Sequence, residues 1–471
     1  MSLLVLGGGP AGMAAALQAR ELGQPVTLLE AGQVGGTSLN RGPAPVRTLA
    51  RAARLARDWS SWQRFGLNGP PPVPDLAAVL ANSARVGREA HDKKDLAGLL
   101  RLRGIDLAEQ IGPVRFTGPH TVRAADGRSW AGDRIVIAVG GRAAPLPVTG
   151  GDLALSYDDI RSLQALPAEV AVIGGADTGC QLASIFADFG VRVLLFEAGP
   201  RLVPGADASV SAALGAAFTA KGMRVCTGTR VRSLEHRGDQ IAVSFGRAGG
   251  AAEDACVGAV FAAVGWPANL AALDPGAAGV ACTPQVIPVD GSLRTNVPHI
   301  YAAGDVNGRS ALVQTARLEG RVAAWNAAGG RRREMSYEAV PSGSFTDPEY
   351  GSVGLTESDA ARDHDIAVGI ARYEDLVRPV ADGHPDGFCK LIADRDSHRV
   401  LGAHVLGEYS AETVQVVATA MTAGLTVERL AEIQFAFPTF TEAVGVAARM
   451  VCRRLGVGDF PAAWGYLGAD E

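Results

Sequence analysis

The sequence predicts an α/β fold with two Rossmann-like dinucleotide-binding units, followed by a C-terminal domain of different character. Three observations carry this. Val5-Leu6-Gly7-Gly8-Gly9-Pro10-Ala11-Gly12 sets a glycine turn between a short apolar run and a helical stretch, Met13 to Leu22. Val172-Ile173-Gly174-Gly175-Ala176-Asp177-Thr178-Gly179 repeats the arrangement. In each copy a second apolar run, 26–29 or 191–196, ends in an acid, Glu30 or Glu197. Gly7 to Gly174 and Glu30 to Glu197 are both offsets of 167 residues. One glycine motif is weak evidence, whereas two in register, each with strand, turn, helix, strand and terminal acid, are strong.

In the first unit Gly7 makes the tight turn and Gly9 lets backbone amides approach a pyrophosphate. Gly12 allows close helix–strand packing. Pro10 and Ala11 open the helix, whose positive end favours the negative charge. Glu30 is placed to accept hydrogen bonds from a ribose diol.

A chain of 471 residues can bury large cores and hold two to four domains. With 20% charged residues and a net charge of −5 it lacks the basic footprint of a nucleic-acid or anionic-membrane binder. No apolar run reaches the ~18 residues of a membrane-spanning helix. Leu3-Leu4-Val5-Leu6 at the N-terminus leaves no room for a secretory leader, so a cytoplasmic location is expected. The six cysteines (Cys180, Cys226, Cys256, Cys282, Cys389, Cys452) show no close pairing and are read as reduced thiols, with Cys452 the one candidate for a redox role. No metal site is expected.

Residues 35–47, Gly-Gly-Thr-Ser-Leu-Asn-Arg-Gly-Pro-Ala-Pro-Val-Arg, resemble the redox-disulfide segment of the flavoprotein disulfide reductases, the family of dihydrolipoamide dehydrogenase, glutathione reductase and mercuric reductase. The resemblance runs over nearly the whole chain. It implies FAD in the first unit, with Gly36 and Thr37 among the cofactor contacts. Thr295 to Gly304-Asp305 resembles the family's second FAD motif, which gives Asp305 the ribityl chain. Leu312 and Val313 would open the helix whose positive end faces the flavin pyrimidine. Gly140, in Ala138–Arg142, and Gly265, in Ala263–Asn269, look like turns between the FAD and NAD domains, with Trp266 at a usually basic position.

The same resemblance exposes departures. Ser38 and Pro43 stand where the family has its two redox cysteines, and neither can form a thiolate–disulfide couple. Arg47 replaces a lysine near the flavin and could bind an anionic group, or it could be structural. In 434–442 Phe437 takes the place of the family's histidine while Glu442 keeps the glutamate, and a phenyl ring cannot transfer protons. In the second unit Gly174 and Gly179 remain. Ala176 narrows the approach to a pyrophosphate, Asp177 puts a carboxylate beside it, and Gln181 replaces a glutamate. Glu197 favours NAD over NADP, with Arg201 as the counter-indication. A retained but empty nucleotide fold is the alternative here.

Segments 345–357, 387–394 and 401–404 resemble the family's interface domain, which implies an α+β dimerisation domain and a homodimer. The expected divisions are 1–147 (FAD), 148–270 (NAD(P)-like), 271–336 (FAD and central) and 337–471 (interface). Three functions fit. The first is NAD(P)H-dependent reduction of a small non-disulfide acceptor, quinone-like or otherwise organic, directly at the flavin, with Phe435, Phe437 and Phe440 of the partner subunit stacking on it. The second is oxidation of an organic substrate in the vacated disulfide pocket without nicotinamide, Glu442 serving as base and Arg47 or Ser38 as anchor. The third is a non-catalytic flavin-binding sensor or partner subunit.

Overall fold

The computed structural model describes residues 1–458, which gather into two compact units. The first takes residues 1–49, 76–144 and 264–336. Its centre is a parallel sheet in the order Ile300–Ala302, Arg134–Ile137, Leu3–Leu6, Val26–Leu29, Asp106–Ala108. All four residues of Leu3–Leu6 are buried, as befits a parallel strand covered on both faces. The helix Pro10–Glu21 packs on the helix Val313–Ala327. Their backbones approach closely, because a Cβ added to Gly320 would overlap the Ala11 carbonyl.

The second unit takes residues 50–75, 145–263 and, of the described residues, 337–458. A parallel sheet orders Arg224–Cys226, Arg192–Phe196, Glu169–Ile173 and Ala259–Ala262, repeating the strand–turn–helix–strand logic of the first unit. An antiparallel sheet follows it, with Thr229–Arg237, Gln240–Arg247 and Glu253–Val257. The C-terminal part is α+β. Its antiparallel sheet runs Ser342–Ser344, Tyr350–Gly354, Val400–Leu406, Phe388–Asp394, Ile366–Arg372, packed against the helices Ser410–Thr422 and Glu442–Leu455. The contact boundaries fall at 144/145, 263/264 and 336/337, and the segment 50–75, which the sequence assigns to the first domain, groups with the second unit. The physical reason is an ionic network. Arg54 pairs with Glu349 at 2.9 Å and donates to the Thr346 carbonyl at 2.7 Å, while Arg57 pairs with Asp347.

Within this unit Asp207 caps the helix Ala208–Ala220 and pairs with Lys390 at 2.8 Å, both side chains almost wholly buried. Glu357 also reaches Lys390. Burial alone would raise the Asp207 pKa; the Lys390 ammonium, the Ser209 hydroxyl and two backbone amides outweigh it and hold the carboxyl well below its usual range. A depressed folded-state pKa adds stability above the unfolded value, about pH 4, and that stability is lost as pH falls below it. Asp207→Asn should therefore cost about 3 kcal/mol at neutral pH, read by chemical denaturation, and should make the acid-side loss of stability shallower.

Candidate functional site

Gly7 has φ +104°, and a Cβ there would overlap the Ala138 carbonyl. A Cβ on Gly12 would overlap the Gly7 carbonyl, so the helix seats directly on the strand. Gly9 is the N-cap of the Pro10–Glu21 helix, no side chain caps that end, and its first turn holds no acid. The orphan amides and the dipole are thus left for an anion. Among the described residues, and beyond its own chain neighbours and helix backbone, an added Gly9 Cβ would meet only the Gly36 Cα within 4 Å, at 3.7 Å. Gly36 and Thr37 lie against this turn, tied to it by Gly35 N–H to Gly8 O at 2.8 Å. Glu30 accepts from Gly8 N–H at 2.6 Å with Oε2 and from Gly32 N–H at 2.7 Å with Oε1, which fixes the carboxylate and leaves lone pairs for ribose hydroxyls.

Across the same unit, the strand Ile300–Ala302 runs into Gly304, whose N–H donates to Glu319 Oε2 at 2.6 Å. Asn307 Nδ2 donates to the same oxygen at 2.7 Å, and Glu319 is fully buried. Asp305 Oδ2 accepts from the Trp266 indole at 2.8 Å; burial pushes its pKa up and that hydrogen bond opposes the rise. The helix Val313–Ala327 begins at N-cap Leu312 without a side-chain cap, and Thr315 in its first turn buries a hydroxyl that has no partner. Gly140, at φ +68°, accepts from Asn269 N–H at 2.9 Å, and Gly265 accepts from Ala144 N–H at 3.0 Å. Glu319, Asn307 and Thr315 escaped the sequence reading. The available signal was polar side chains on the small-residue stripe Ala316, Gly320, Ala323 just after the Gly-Asp pair. Two uncapped helix N-termini, two anchored carboxylates and a turn without side chains are a donor set that fits FAD.

The second unit reproduces the scaffold. Gly174 has φ +107°, and a Cβ on Gly179 would overlap the Gly174 carbonyl. Glu197 accepts from Gly175 N–H at 2.7 Å and Gly199 N–H at 2.6 Å. Ala176 is the exposed N-cap of the helix Asp177–Asp188, and Gln181 is half-buried on that helix. Asp177 is not a bare charge beside this turn: the Tyr350 hydroxyl donates to it, and packing around the still solvent-exposed residue raises its pKa by desolvation. Arg201 spends a guanidinium N–H on the Pro204 carbonyl at 2.8 Å.

Ser38 lies in the short helix Gly36–Asn40 and donates to the Gly35 carbonyl at 3.1 Å. Pro43 and half-buried Arg47 lie in the helix Pro43–Asp58; the side chain of Pro43 is outside the described part. In the C-terminal segment the three phenyl rings separate, which corrects the expectation that all three offer stacking faces. Phe440 is buried, its ring centroid 5.4 Å from that of Tyr373 and 4.9 Å from that of Tyr409. Phe435 packs on Gly445. Phe437 alone is presented, 69% exposed. Core packing ahead of the helix Glu442–Leu455 claims the other two. Glu442 opens that helix with Oε2 buried and unpartnered; burial raises its pKa, opposed by Arg449.

All six cysteines are free. Cys452 is buried and its thiol is pushed up to about 12 by burial, so it is not the reactive thiolate the sequence left open. Among the described residues no cluster of three or more His, Cys, Asp or Glu could hold a metal, and no helix is long and apolar enough to cross a membrane.

Residues 1–320 match the pyridine nucleotide-disulphide oxidoreductases, and residues 340–448 match the dimerisation domain of the same group. The chain is 31% identical to a dihydrolipoyl dehydrogenase of Zymomonas mobilis over 448 residues, 94% of this chain and 96% of that one. A dihydrolipoyl dehydrogenase of Thermus scotoductus is 32% identical over 454 residues, 95% of this chain and 96% of that one. Among solved structures, an HOCl-induced flavoprotein disulfide reductase from Escherichia coli superposes with a TM-score of 0.85 at 25% identity, covering 96% of this chain and all of that one.

The Tyr350–Asp177 contact yields a test. Tyr350→Phe should release a carboxylate beside the second glycine turn and weaken NADH binding about threefold to tenfold, read by equilibrium titration. Tyr350→Phe with Asp177→Asn should restore it.

Proposed function

We propose a function from one premise: this chain belongs to the pyridine nucleotide-disulphide oxidoreductase family. It is an oxidoreductase, with FAD and a pyridine nucleotide as its cofactors. Within the family we assign it NAD(P)H-dependent reduction of a small non-disulfide acceptor, quinone-like or otherwise organic, by a cytoplasmic homodimer.

The observation that carries this reading is that no cysteine occurs before Cys180, while Ser38 and Pro43 occupy the positions the resemblance gives to the redox pair. The relatives are named dihydrolipoyl dehydrogenases, which points to disulfide chemistry, and the resemblance sets the dithiol for it close to the flavin. In the first unit this chain offers only the exposed Cys282. Thiols elsewhere are poor substitutes, since burial pushes Cys389 and Cys452 up to about 12.

The geometry supports the following roles. The amides at Gly9 and Ala11, at the helix end that Pro10 opens, hold a pyrophosphate, Glu30 a ribose diol and Asp305 the ribityl chain, with Leu312 and Val313 at the pyrimidine end. Gly174, Ala176, Gly179 and Glu197 hold the nicotinamide dinucleotide. Glu197 and the committed Arg201 favour NAD over NADP. FAD, when bound, supplies two-electron redox chemistry between nicotinamide and acceptor. Ser38 leaves room beside it without a thiol, and Arg47 attracts an anionic edge of the acceptor. Phe437 of the partner subunit offers an exposed ring for stacking. Glu442, whose pKa burial raises against the pull of Arg449, is the candidate proton donor to the reduced acceptor.

Ala176, Asp177 and Gln181 favour a second reading, oxidation of an organic substrate without nicotinamide. Anaerobic addition of NADH separates the two. Rapid bleaching of the flavin, then reoxidation by a quinone with negligible lipoamide turnover, is the expected result. No bleaching would transfer the assignment to the second reading, and efficient lipoamide turnover would overturn both.

A further inference from the structure

We propose that Trp266 is a positioning residue for FAD, aiming the Asp305 carboxylate at the ribityl chain through its indole N–H. The inference rests on the ribityl role given to Asp305 above. The indole Nε1 donates to Asp305 Oδ2 at 2.8 Å. This selects one carboxylate rotamer and leaves the lone pairs of Oδ1 for a ligand hydroxyl.

The ring has been given a place. A Cβ on Gly141 would overlap its Nε1 and Cδ1, so the glycine serves as the floor on which the indole lies. The turn that carries Trp266 is laced to the Gly140–Ala144 segment by three backbone bonds. Arg142 N–H donates to Pro267 O at 2.9 Å, Ala144 N–H to Gly265 O at 3.0 Å, and Asn269 N–H to Gly140 O at 2.9 Å. A bridge between Gly141 and Ala268 adds to them. Glu319 fixes the other side of Asp305 by receiving the Gly304 amide and the Asn307 side chain. The acid is thus held from its backbone by Glu319 and from its side chain by Trp266. An indole donor also favours the ionised form of the half-buried carboxyl, in which both oxygens accept. Burial by itself works the other way.

The test reconstitutes apoprotein with FAD and compares Trp266→Phe, Trp266→Arg and Asp305→Ala with the parent. Trp266→Phe keeps an aromatic ring on Gly141 but removes the donor. Its dissociation constant for FAD should rise about tenfold, while the melting temperature of the apoprotein stays put. The visible circular dichroism of the bound flavin should change shape. Trp266→Arg returns N–H donors to Asp305 and should recover affinity to within about threefold of the parent, which a merely structural role for the indole would not produce. An unchanged FAD affinity in Trp266→Phe, with Asp305→Ala strongly impaired, would overturn the inference and leave the Asp305 assignment standing. Full FAD affinity in Asp305→Ala would instead bring down that assignment. If Trp266→Phe does not fold, loss of FAD by a folded Trp266→Arg protein overturns the proposal.

Discussion

Both nucleotide units depend on the same small device: a carboxylate at the end of the second strand that binds the backbone of the glycine turn. Glu30 receives Gly8 and Gly32 amides, and Glu197 receives Gly175 and Gly199 amides, at 2.6–2.7 Å in every case. The offset between the two sets is the same 167 residues that separates the motifs in sequence, Gly8 to Gly175 and Gly32 to Gly199. The interaction decides two things together. It holds the turn so that Gly7 and Gly174 can take positive φ, and it presents a fixed anion where a ribose would lie. The open helix N-terminus and the fixed carboxylate then lie on the same turn.

Within that shared scaffold, the departures from the family resemblance fall at Ser38, Pro43 and Phe437. Ser38 donates to its own turn, and Phe437 is an exposed ring where the resemblance expects an imidazole. Glu442 keeps a buried oxygen without a hydrogen-bond partner. By the resemblance, Ser38, Pro43 and Phe437 stand at the two thiols and the base of a single reaction, which is coherent with one altered function. The second unit shows the opposite pattern, in which an awkward residue is managed: Asp177 is engaged by Tyr350.

Much of this was legible beforehand. Glycine spacing and terminal acids located both parallel sheets, because a turn that must pass under a helix tolerates few residues, and the Gly-Asp pair marked the end of the strand Ile300–Ala302. What escaped was set by tertiary contact. Nothing local links Tyr350 to Asp177, 173 residues away, or Arg54 to Glu349, 295 away, yet the second pairing draws 50–75 into the other unit. The fates of Phe435 and Phe440 were hidden for a similar reason, since three phenyl groups in six residues look alike until Tyr373, Tyr409 and Gly445 select among them. Glu319 was missed because an acid in a helix reads as solvated surface, whereas here it receives the Gly304 and Asn307 donors in full burial.

The central claim is that the flavin has no dithiol beside it, and electron counting addresses it most directly. Anaerobic reductive titration of the purified flavoprotein should consume one two-electron equivalent per subunit, with bleaching that begins at the first addition and ends there. Consumption of two such equivalents, the first leaving the flavin oxidised, would reveal a disulfide in series with it and contradict the account.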